Sequence, residues 1–360
     1  MNPLSSISLA AALLLPGAAL AQSDAATAAD SFARSGPPLE VVLASPRRPG
    51  NVAVAPDGRV FITYHALSDA PVQLAEIKNG RALPYPDSSL QRNGAAASDA
   101  TIDTPLGLQV DRQQRLWVID MGLNLGKTRL WSFDLRKNVA LPTIELSAEI
   151  APKGSFVQDF AVDERRGWIY LADIANPGLI ALNLKTGQAR RFGGHPSLQS
   201  EDIDMVIDGK TVDFAGKPAR VGVNPLSLSD DRETLYFGAM NGTRWYRLPT
   251  RLLREGKSDA EIAAAIEVAG PKPISDGVAT DRKGNHYYTD LQRHAISRLS
   301  SDGQVRDVVR DANLNWPDNL SLGPDGWVYV VANQLHLTSA FTGQPDRGRP
   351  PYYVYRFKAP

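Results

Sequence analysis

The sequence predicts an all-β protein, a six-bladed β-propeller closed by its N-terminal strand, and three observations predict it. An apolar stretch running into a polar turn recurs six times, as PGNVAVAPDG (49–58), PLGLQVDRQQR (105–115), VQDFAVDERRG (157–167), VNPLSLSDDRE (223–233), SDGVATDRKG (275–284) and NWPDNLSLGPDG (315–326). Each copy leads into a second apolar strand: VFITY, LWVID, WIYLAD, TLYFGA, NHYYTD and WVYVVAN. About 42 to 66 residues separate aligned copies, the length of a four-stranded blade plus insertions. Two tandem β-sandwiches would leave the six-fold recurrence unexplained.

The remaining elements follow in order. Third strands are read at 72–77, 130–135, 179–184, 244–249, 295–300 and 352–357, with shorter fourth strands behind them. The sixth blade has no fourth strand after Phe357, while LEVVLA (39–44) stands unpaired ahead of the first. Docking that strand on the last blade leaves no open seam, so 38–360 is one propeller domain. Residues 195–222 are a polar insertion in which MVIDG and TVDFAG could form a hairpin over one face. Within 250–266 lies an amphipathic helix, with Asp259 as N-cap of the run Glu261 to Ile266.

Residues 1–21 read as a secretory signal: an apolar run from Ile7 to Leu15, a Pro16-Gly17 break, and Ala19-Leu20-Ala21 ahead of Gln22. A short N-terminal anchor is the alternative, although the run is shorter than the ~20 residues that span a bilayer. Residues 22–37 read as a flexible leader. The expectation is a secreted or periplasmic protein with no membrane contact after signal cleavage, and a monomer.

Lys plus Arg and Asp plus Glu both total 39, so no global field recruits nucleic acid, and no basic stripe is interleaved with aromatics. With no cysteines there is no disulfide framework, thiolate zinc site or cysteine nucleophile. There is no G-x-S-x-G elbow, phosphate-cradling loop or dinucleotide fingerprint, hence no nucleotide cofactor. The five histidines are scattered without metal-ligand spacing.

First strands line a propeller's channel, so the residues just before them ring one end of it. That column reads Gly50, Leu106, Gln158, Asn224, Asp276 and Asp318, and one position further in Asn51, Gly107, Asp159, Pro225, Gly277 and Asn319. Second strands return to the same face, ending near Asp120, Asp173, Asp290 and Asn333. The column holds carboxylates and amides and no Lys or Arg. Crowded carboxylates favour a cation, and oxygen ligands suit Ca²⁺ or another divalent ion. A protonated amine meets the same need, with Trp316 as a cation–π partner. Asn51, Asp120, Gln158, Asp159, Trp316 and Asn319 are thus candidate contacts of a small-molecule ligand, and Asp276 and Asp318 candidate general bases.

RLWVIDMG (115–122), VIDGKTVDFAGKPARVGVNPLSLS (206–229), YRLPTRLLR (246–254) and NWPDNLSLGPDGWVYVVANQL (315–335) together resemble the Yellow/major royal jelly protein family, in order and across nearly all of the mature chain. The resemblance implies a secreted six-bladed propeller with a ligand-binding central cavity. Members range from carriers of small amines to proteins credited with dopachrome conversion; the absence of cysteines suggests a bacterial relative. The chain is more distantly similar to gluconolactonase-type propellers, whose divalent metal is held by a Glu, an Asn and an Asp. Asn224 and Asp276 stand at the Asn and Asp positions, Gly50 replaces the Glu, and Asp318 is our own substitute for it. The metal set expected is therefore Asn224, Asp276 and Asp318. Two functions stay open: a divalent-metal-dependent lactonase-like hydrolase or tautomerase, and a non-catalytic binder of an amine or aromatic metabolite.

Overall fold

A computed structural model describes residues 34–359 apart from 69, 93 and 94; the signal and most of the leader lie outside the described residues. Six sheets form the blades, with inner strands Pro49–Val54, Pro105–Val110, Val157–Asp163, Val223–Leu228, Val278–Thr280 and Pro317–Leu322. The ring closes as the sequence predicts: Glu40–Ser45 pairs antiparallel with Tyr352–Lys358, the third strand of blade six. Among the described residues no helix is long and apolar enough to cross a membrane.

Blades cohere through wedges of apolar side chains between neighbours. Between blades one and two, Phe61 and Leu74 meet Leu116 and Phe133, all fully buried, each contributing about 1.5–3 kcal/mol by transfer from water. The turns between first and second strands repeat one design. Asp57, Asp111, Asp231 and Asp281 each accept the backbone N–H two residues on, and a left-handed residue follows. Gly58 fills that place at φ 87°, whereas Gln114 and Arg232 occupy it at φ 61° and 68°, conformations that cost a side-chain-bearing residue energy.

Three expectations change. The leader's last residues are pinned, since Ser35 exchanges backbone hydrogen bonds of 3.0 and 2.9 Å with Arg310. The segment 250–266 is two short helices, Thr250–Arg254 and Asp259–Ala264. Ser258, not Asp259, caps the second, in a capping box with Glu261: the hydroxyl sits one residue earlier, where it reaches the N3 amide. Finally, the insertion makes two tiny hairpins, Val206–Ile207 with Lys210–Thr211 and Asp213–Phe214 with Lys217–Pro218.

At the end where they begin, five inner strands carry an extra residue relative to their partners, at Pro49/Val52, Pro105/Leu108, Val157/Asp159, Val223/Leu226 and Pro317/Leu320. Such bulges break the period-two alternation and re-aim consecutive side chains. Thr63 Oγ1 takes up the freed N–H of Asn51 at 3.1 Å; in blade five, whose inner strand pairs without such a shift, Thr289 Oγ1 accepts from Asp276 and Gly277 at 3.1 and 2.9 Å.

Neighbouring strands also approach closely there. A Cβ on Gly277 would lie 2.6 Å from the Asp318 carbonyl oxygen and 2.8 Å from Asn319 Cα. Both are backbone atoms, so Gly277→Ala must part the strands. We expect a loss of about 1–3 kcal/mol, seen as a lower urea midpoint at unchanged slope; an unchanged midpoint would contradict this packing.

Candidate functional site

The starts of the inner strands bring residues from five blades into one hydrogen-bonded network. Asn224 Nδ2 donates to Asp276 Oδ1 at 2.5 Å, and Gln158 Nε2 donates to Asn224 Oδ1 and, at 3.4 Å, to Asp276 Oδ1. On the other carboxylate, Asn333 Nδ2 donates to Asp318 Oδ2 at 2.7 Å and Asn51 Nδ2 to Oδ1 at 3.4 Å. Of the three central groups, Asn224, Asp318 and Asp276 are 0%, 4% and 6% exposed. The sequence places Asn333 at a second-strand end without assigning it to the site; its clue is that the second strands return to the face where the column stands.

Two predicted contacts also serve the scaffold. Inner strands expose edge N–H groups that need acceptors. Asn319 Oδ1 accepts from Val52 of the next blade at 3.3 Å, and Asp159 accepts from Phe160 at 2.9 Å and from Leu226 of the next blade at 3.4 Å.

Asp120 does not join the network. Its carboxylate accepts from the backbone of Asp103, Thr104 and Gly122 at 3.0, 2.8 and 3.1 Å, from Trp131 Nε1 at 3.1 Å and from Arg129 at 2.7 Å. That full set of donors binds it to its own blade. Asp173 is held likewise by Arg191 and by the backbone of Phe156.

Trp316 takes a different role from the predicted cation–π platform. It is fully buried, and its Nε1 donates to Asp276 Oδ2 at 2.9 Å, which fixes that carboxylate. Its φ of 52° is rare for a bulky residue and costs about 1–3 kcal/mol. The surroundings impose it: Phe341 packs edge-on and His336 stacks on the indole, in a cluster with Met205, Ile207 and Val212 of the insertion. The insertion therefore covers the network on the side of blades four to six.

The network is a buried end of the channel rather than an open mouth. A cavity of about 600 Å³ begins one tier further in, at Asp159 and Asn319. Aliphatic walls such as Leu108, Leu226 and Leu320 carry it to Arg112, Asp230 and Arg282 at the turn face.

Burial dominates the electrostatics. It raises Asp276 to about 6 against the hydrogen bonds from Trp316, Asn224 and Gln158, and Asp159 to about 7 against its two backbone bonds. Burial, with the nearby charge of Asp276, pushes Asp318 well above the carboxylate range. Among the described residues no three acid or histidine side chains are gathered to hold one metal ion. A cation here would rest on Asp276 and Asp318 with the amide oxygens of Asn224 and Gln158, an all-oxygen set that fits a hard ion.

Solved structures share the fold. A gluconolactonase from Xanthomonas campestris aligns over 89% of each chain at a TM-score of 0.53 and 14% identity. A luciferin-regenerating enzyme aligns over 90% of this chain and 96% of its own at a TM-score of 0.56 and 12% identity. In sequence, the protein yellow of Drosophila yakuba is 27% identical over 310 residues, 77% of this chain and 57% of the relative. That of Drosophila pseudoobscura pseudoobscura is 27% identical over 276 residues, covering 70% and 49%. The chain thus spans about half the length of the curated relatives it matches. The family described as Major royal jelly protein matches residues 104–348, from the start of blade two into blade six. With that match across most of the propeller, the chain belongs to the major royal jelly protein family.

Proposed function

We propose that this protein is an exported propeller that binds a cation, and through it a small molecule, at the axial end of its channel. One observation carries the reading: Asp276 and Asp318 are buried side by side among amides, with no Lys or Arg among the described residues bonded to either. Two buried carboxylates in contact through their fields hold protons or a cation. The signal-like segment at 1–21 supports export to a secreted or periplasmic location.

Hydrolysis of a lactone or ester is the second reading. The observation in its favour is Asp159 at about 7, the range of an effective general base, placed where the cavity meets the network. A divalent cation on Asp276 and Asp318 would supply polarisation of the carbonyl; Asp159 would take a proton from water.

Calorimetric titration with CaCl₂ tests the first reading. At pH 7.5 we expect saturable binding, weaker at pH 5.5 because protons compete at Asp276, and at least ten-fold weaker in Asp318→Asn. Absence of saturation, or an Asp318→Asn variant that binds like the parent, would remove it. Chelator-sensitive lactone hydrolysis in the same samples separates enzyme from binder.

A further inference from the structure

A second cavity of about 610 Å³ lies between the insertion hairpins and blade six, away from the axial network. Lys210, Arg347 and Arg349 stand on its lining, and none of them is in an ion pair among the described residues. Two carboxylates stand there, Asp213 and Asp208, the latter bonded to His294 Nε2 at 2.8 Å, so three cations face two anions. The cavity therefore favours an anion. One wall is aromatic: Tyr353 and Tyr355 stack with centroids 4.9 Å apart at 20°.

Two buried polar atoms belonging to lining residues have no partner, Nδ1 of His336 and the side-chain oxygen of Asn315. Burying such atoms unpaired costs about 1–3 kcal/mol each, a cost that a ligand in the cavity removes. The oxygen calls for a donor. His336 cannot swing away to find its own partner, because it stacks on Trp316 at 5.6 Å. Burial outweighs the nearby charge of Asp208 and keeps its pKa at about 4, so the ring is neutral near pH 7 and offers a hydrogen bond rather than a charge.

From these features we propose that this cavity is a separate binding site for a small aromatic carboxylate bearing a ring hydroxyl. Its carboxylate pairs with Arg347 and Arg349, its ring lies on the tyrosine wall, and its hydroxyl donates to Asn315 with His336 beside it. Bidentate guanidinium–carboxylate pairing gives the orientation, and the hydroxyl gives selectivity, since an analogue without it leaves buried polar atoms unpaired.

Calorimetry with 4-hydroxybenzoate, benzoate and 4-hydroxybenzyl alcohol tests the assignment. We expect saturable binding of 4-hydroxybenzoate, with both analogues at least ten-fold weaker. The double variant Arg347→Ala/Arg349→Ala, whose altered side chains are exposed, should lose at least ten-fold, whereas Asp318→Asn should bind like the parent. That last arm separates this site from the axial one. Failure of 4-hydroxybenzoate to saturate, parental binding by the double arginine variant, or loss of binding in Asp318→Asn would each overturn the proposal.

Discussion

Replacing Asp276 by Asn is expected to stabilise the chelator-treated protein at pH 8, by about 2–4 kcal/mol, and to do almost nothing for it at pH 4. The sign follows from linkage. In the unfolded chain Asp276 releases its proton near 3.8, in the native fold near 6. Between those values the native state holds the extra proton, so its contribution to stability is complete below 3.8 and is lost as the pH rises through 6. The Asn variant has no proton to lose. Burial outranks the three hydrogen bonds to the carboxylate as the cause, and an amide oxygen keeps part of that bonding.

The comparison must be made between variants at one pH. His65, His286 and His336 are held at about 3, 4 and 4, chiefly by burial. They drive the parent's stability upward as the pH rises from about 4 to their unfolded value of 6.5, and they cancel in the difference. Urea unfolding at the two pH values gives the numbers. A variant equally destabilised at both would show that Asp276 carries no burial penalty. Saturating Ca²⁺ should raise the parent's midpoint at pH 8 and leave the variant's unmoved.

Asp120→Ala has the opposite consequence. Asp120 is wholly buried, and its partner Arg129 is 3% exposed. Alanine removes that guanidinium's counter-charge, leaving it on the backbone oxygens of Asp99 and Thr101, and strands the backbone donors of Asp103, Thr104 and Gly122. Removing one partner of a buried pair costs about 3–5 kcal/mol, a large part of the stability of an ordinary domain. The expected result is a much lower urea midpoint with unchanged Ca²⁺ affinity in the protein that remains folded. Weakened affinity at normal stability would return Asp120 to the ligand site.

These two aspartates mark how much of the site could be read from the sequence. Repeat position placed both on the same face, and period-two patterning with turn chemistry was enough to lay out six blades and their closure. What separates the two acids is a neighbour. Arg129 lies nine residues further on, across a strand pair, and no spacing rule announces which arginine will turn inward. Trp316 was visible as an aromatic beside the acids, yet its role depends on a left-handed backbone that sequence patterns do not predict for tryptophan. The bulges were equally hidden: the extra residue sits at the start of each strand, ahead of the apolar residues on which the repeats align, and breaks the alternation only there. The second cavity is assembled from residues 207–213, 312–315 and 332–355, segments brought together only by the insertion folding back.

The pairing of Glu40–Ser45 with Tyr352–Lys358 has a consequence for biosynthesis. The strand translated first among the blades finds its mate only when the strand translated last leaves the ribosome, some 313 residues later by their ends, Ser45 and Lys358. At about 5–20 residues per second that is a wait of roughly fifteen to sixty seconds, during which the nascent chain carries an unmated edge. Circularity is therefore a property of the finished polypeptide alone, and an interrupted translation product is an open arc.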